Sequence, residues 1–112
     1  MTKTINNPAS ERAVLSGIIQ HGSDAFIDVD DIITVDTFTV EENQILYACV
    51  KKVLTDSSTV DLPSILSAAN DLGLESWFEN QISTSHIKAI SGFDVSLENV
   101  RHHAVKLKKL EI

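Results

Sequence analysis

Four histidines, one cysteine and a dense run of acids are the residues here with chemistry to offer, and their spacing decides what that chemistry can be. No two of His21, His86, His102 and His103 stand four apart on a helix, which excludes a His-Glu-x-x-His zinc site. Adjacent His102 and His103 point about 100° apart on a helix and do not share an ion; one is expected at the apolar edge and the other in solvent. Asp28-Val29-Asp30-Asp31 opens like a calcium loop, but Ile32 takes a position that needs an oxygen donor and Ile33 the one that needs glycine. Cys49 lies between Leu46 and Val53 on an apolar helix side, with no Lys or His one turn away to favour a thiolate, and reads as a small buried hydrophobe. A single cysteine also excludes an internal disulfide and a multi-cysteine metal site. Gly17, Gly22, Gly73 and Gly92 fit neither phosphate-binding glycine pattern, and no serine sits in a Gly-x-Ser-x-Gly elbow. No catalytic residue, metal or cofactor is expected in this segment.

What remains is surface chemistry. Sixteen acids and nine bases give a net charge of −7. From Arg101 onward four bases (Arg101, Lys106, Lys108, Lys109) face one acid, Glu111, so residues 1–100 carry −10. Between Ser23 and Glu42 there are seven acids, Asp24, Asp28, Asp30, Asp31, Asp36, Glu41 and Glu42, and no base. Such a field repels a phosphate backbone, so direct nucleic-acid binding is not expected. Asp24, Asp28 and Asp31, at i, i+4 and i+7, would line one helix face. Two readings of that stripe stay open: a solvated face that keeps the domain soluble, or a docking stripe for a basic protein partner. Trp77 and Phe78 read either as core or as an exposed aromatic anchor for a partner. These five residues are the candidate partner-binding set.

The elements that must position them are helices. At 43% apolar and 22% charged residues, with only four glycines and two prolines, the chain suits one small packed domain and not a linker or a disordered tail. No apolar run approaches the roughly 18 residues of a membrane span, and there is no signal-peptide pattern, so a cytoplasmic setting is expected. Asn7-Pro8 caps and opens a helix with Val14, Leu15, Ile18 and Ile19 on its apolar face, stopped by Gly22. Ser23 is expected to cap a second helix with Phe26, Ile27, Val29 and Ile33 inward. Thr39-x-x-Glu42 reads as a capping box opening the longest helix, through Ile45, Leu46, Tyr47, Cys49, Val50, Val53 and Leu54. Asp61 caps a helix carrying Leu62, Ile65, Leu66, Ala69 and Leu72, closed by Gly73. A shorter helix carries Trp77, Phe78 and Ile82, with further turns over residues 84–90. Asp94 or Ser96 starts a last helix with Leu97, Val100, Ala104, Leu107 and Leu110. Ile32-Ile33-Thr34-Val35 is strand-like, but one strand cannot satisfy its own edges. The expectation is an all-α single bundle of about six short helices, its core including Val14, Leu15, Ile18, Phe26, Leu46, Val50, Leu66 and Val100. Residues 1–6 read as a flexible N-terminus, 7–98 as the bundle, and 99–112 as the start of a helix leading to a linker or hairpin absent from this chain.

Several of these landmarks together resemble the N-terminal domain of DnaB-type replicative DNA helicases. Glu11-Arg12-Ala13-Val14-Leu15-Ser16-Gly17 is similar to the family's opening Glu-x-Ala-Val-Leu-Gly. Phe38 stands where the family has its phenylalanine, with Asn43 for the histidine five residues later and Leu46-Tyr47 for an Ile-Phe pair. Asp61-Leu62, Gly73, Asn99, Val100 and Ala104 match later landmarks, and His103 replaces a tyrosine. The resemblance spans about residues 7–110 and is to a divergent member, of the kind phages encode.

The resemblance implies a non-catalytic helical domain that forms the hexamer's collar and docks primase, helicase loader or both during DNA replication. Copies of itself, primase and loader are the implied partners. The parent protein would be an ATP-dependent helicase, with ATP and magnesium held by a motor domain that is not in this chain. Two alternatives carry different consequences: the helicase-binding domain of a primase, or a stand-alone acidic helical adaptor or inhibitor that mimics the collar.

Overall fold

Asn7 and Pro8 open the first helix as their types require. In the computed structural model, which describes residues 7–74, 76, 89–90 and 95–110, the Asn7 side chain accepts from the Ser10 amide at 3.1 Å and Pro8 occupies the first turn. Helix α1 (Pro8–His21) ends at Gly22, whose φ of +66° favours glycine. A Cβ there would also overlap the Ser58 carbonyl, which accepts from the Ser23 amide at 3.0 Å. Gly22 is itself the N-cap of α2 (Ser23–Val29), so Ser23 is the first helical residue and not the expected cap.

The Ile32–Val35 stretch forms a turn and then a 3-10 turn over Val35–Thr37, in which the Thr37 hydroxyl accepts from the Thr34 amide at 2.9 Å. Helix α3 (Glu41–Asp56) follows, then α4 (Leu62–Asp71), capped by Asp61 through the Ser64 amide at 2.8 Å. The carboxyl of Asp61 is held below its usual range by the side-chain and backbone hydrogen bonds of Ser64. Helix α5 (Leu97–Leu110) has Ser96 at its head, accepting from the Asn99 amide at 3.2 Å, which decides between Asp94 and Ser96. It turns Val100, Ala104 and Leu107 into the core.

The fold is therefore all-helical, with five α-helices of defined range and no strand among the described residues, against the six expected. Helix α1 is central: α5, α2 and α3 pack on it, and α4 packs on the far side of α3. Val14, Leu15 and Ile18 meet Leu46, Tyr47, Cys49 and Val50 of α3 and Val100, Ala104 and Leu107 of α5 in one core. Gly17 lets α5 come close, because a methyl group there would overlap the Val100 side chain. Tyr47 makes tilted ring contacts with Phe38 and Phe26, the centroids 5.0 and 6.3 Å away.

Several expected core positions lie elsewhere. Leu66 is 40% exposed, with Leu62, Leu72 and Leu97 similarly open, and Phe26 is half-buried. Helix α4 packs mainly on α3 among the described helices, so its buried stripe narrows to Ile65, Ala68 and Ala69 and leaves the leucines on its flank. Ile27 is 72% exposed, because Ala25, Phe26 and Val29 already fill the core side of a helix only seven residues long. The helix expected around Trp77, Phe78 and Ile82 lies outside the described residues; Ile90, beyond it, is fully buried.

Candidate docking surface and the buried network behind it

The thread through the polar interior starts at Glu11, on the same face of α1 as Val14, Leu15 and Ile18 and fully buried. Its carboxylate accepts from the Thr39 amide at 3.1 Å, the Thr39 hydroxyl at 2.6 Å, the Val40 amide at 3.3 Å and the Asn43 side-chain amide at 3.0 Å. These donors lie at and just before the N-terminus of α3, where unpaired N–H groups and the helix dipole both favour an anion. The Thr39–Glu42 capping box is thus overturned: Val40 is the N-cap, and the Thr39 hydroxyl is spent on Glu11. A carboxylate on an apolar stripe was the sequence signal for this clamp.

Two further ties hold α5. The Ser10 hydroxyl and His103 Nδ1 are 3.0 Å apart, and His21 Nε2 donates to the Val95 carbonyl at 2.7 Å. His103 is half-buried and its pKa is lowered by burial, then by the charges of Lys106 and His102; His102 is exposed. One histidine at the apolar edge and one in solvent is the expected arrangement. Cys49 is buried, and burial pushes its thiol up to about 11, as an inert core cysteine requires. No group of three His, Cys, Asp or Glu among the described residues is placed to hold a metal ion.

The acidic stripe is only partly assembled. Asp24 is exposed in the first turn of α2, and Asp28 follows it one turn later. Asp31 is exposed but lies past the end of α2, in the turn after Val29, so the three do not form one helical row. Asp28 is also engaged within the chain: Arg101 of α5 donates to its backbone carbonyl and lies 3.4 Å from its carboxylate. A cation at that helix end suits the dipole. Between Asp24 and Asp31 stands the exposed Ile27, which the apolar-inward expectation missed. The other two candidates, Trp77 and Phe78, lie outside the described residues.

The described residues thus form a small helical bundle in which buried polar groups tie helices together and acidic residues lie exposed outside. The family comparison is specific: residues 3–109 match the DnaB-like helicase N-terminal domain, and the chain belongs to that family. Comparison with curated proteins and with solved structures gives no significant match. Among the described residues no helix is long and apolar enough to cross a membrane.

Proposed function

We propose that this chain is the part of a replicative DNA helicase that gathers copies into a collar and docks a basic protein partner, a primase or helicase loader, during DNA replication. Family membership over residues 3–109 supports the helicase setting. The observation that carries the docking part is Ile27, 72% exposed on a surface that has Asp24, Asp30 and Asp31 exposed around it. An apolar side chain ringed by like charges suits a partner that brings bases at the rim and an apolar pocket at the centre. ATP and magnesium belong, on this reading, to a motor domain outside this chain.

Ile27→Ser tests the docking part. At 72% exposure the change leaves the melt within about 0.5 kcal/mol, and it is expected to weaken binding to the cognate primase or loader by about tenfold or more, as loss of an anchor side chain does. Unchanged affinity for both partners in calorimetric titration refutes this surface as the docking site.

A further inference from the structure

Helix α5 turns Val100, Ala104 and Leu107 into the core. On its outer side His102, Lys106 and Lys109, at i, i+4 and i+7, form an exposed stripe, and neither lysine makes an ion pair among the described residues. The segment from Ser23 to Glu42 is the opposite case, seven acids with no base. Helices α2 and α5 pack on one another, and Arg101 already bridges them to Asp28, so the acidic and basic surfaces lie side by side on one molecule.

We propose that the Lys106–Lys109 stripe of α5 receives the acidic α2 surface of a second copy of this chain, the lysines pairing with Asp24 and Asp31 and covering Ile27. Adjacent complementary patches are satisfied by a two-fold arrangement, in which each copy's stripe meets the other's acids and both contacts close together. The inference rests on the assembly part of the reading above and specifies the faces that meet. A second copy and a basic partner then contend for the same carboxylates, so partner binding loosens the contact between copies.

Two charge-reversed variants, Asp24→Lys/Asp31→Lys and Lys106→Glu/Lys109→Glu, test it by analytical ultracentrifugation, with thermal melts as the folding control. The wild type is expected to associate at about 50 mM salt and to dissociate at about 0.5 M, where screening shortens to a few ångströms. Each variant alone is expected to associate at least tenfold more weakly, and an equimolar mixture of the two to recover wild-type association. The first variant separates paired faces from overall repulsion, since it lowers the net charge from −7 to −3 and yet is expected to associate less. Wild-type association in both variants, or a mixture no tighter than its components, overturns the α5 stripe while leaving assembly through another face in place. A wild type that stays monomeric at low salt removes the proposal and the assembly reading together, and leaves partner docking at Ile27 standing.

Discussion

Glu11 is buried as deeply as Val14 and Ile18, yet it brings a carboxylate into the core. It is tolerated because four donors from one short stretch, Thr39 to Asn43, converge on its two oxygens. Glu11→Ala strands all four donors, and a loss of about 3–5 kcal/mol is expected in a urea melt. Glu11→Gln keeps one acceptor oxygen, and a smaller loss of about 1–3 kcal/mol is expected. Read locally, Thr39-x-x-Glu42 is a sound capping pattern; a cap delivered from 28 residues upstream is invisible to any local pattern. Asn43, read as a departure from the family's histidine, proves to be a donor to Glu11. Tyr47 is a second departure, and its hydroxyl is buried without a hydrogen-bond partner among the described residues. Tyr47→Phe is expected to stabilise the domain by about 1 kcal/mol in the same melt. Burial, with the charge of Asp30, pushes the Tyr47 phenol from 10.0 up to about 12, and burial takes the Cys49 thiol from 9.0 to about 11. The folded chain holds these protons more tightly than the unfolded one. Stability is therefore intact below about pH 9 and falls as pH climbs from there toward about 12. Urea midpoints that stay level across that window contradict the burial of both groups.

Helices α1, α4 and α5 were legible because each announces itself twice, by an apolar period and by a cap: Asn7-Pro8, Asp61 and Ser96 (one of the two starts read for α5) all cap. Helix α3 was legible by its apolar period alone. What periodicity could not tell is how much of an apolar stripe finds a neighbour. Leu46 and Leu66 look equivalent in sequence, yet Leu46 is 1% exposed in the core while Leu66 is 40% exposed on a helix that, among the described helices, packs mainly on α3. Leu46→Ala is expected to cost about 2–5 kcal/mol, and Leu66→Ala under about 1 kcal/mol. Equal losses in paired urea melts contradict the flank position of α4. The α1–α5 contact is set by close approach rather than by bulk. Gly17→Ala drives a methyl group into Val100, a β-branched side chain with little rotamer freedom to yield. A loss of about 1–3 kcal/mol is expected, and Val100→Ala in the same chain is expected to relieve part of it. Strict additivity of the two changes contradicts the contact.

For the whole molecule, the fold class and family were readable because both rest on patterns spread over most of the chain, as the match over residues 3–109 shows. The docking surface was half-readable: charge is visible in the sequence, but the early end of α2 at Val29, the Arg101–Asp28 tie and the outward turn of Ile27 depend on how the helices meet. With −10 over residues 1–100, micromolar binding of single-stranded DNA at about 150 mM salt is not expected. Fluorescence anisotropy with a labelled oligonucleotide measures this directly, and an affinity in that range contradicts it. The pairing of α1 with α5 has one more consequence, in the order of synthesis. A ribosome makes α1 well before α5, so the apolar face of α1 waits for a partner some ninety residues away, as the Ser10–His103 link illustrates. The N-terminal half cannot close its core until α5 has emerged. Nascent chains released after α4 are therefore expected to stay protease-sensitive throughout α1, and resistance to appear in one step once Leu107 has cleared the exit tunnel.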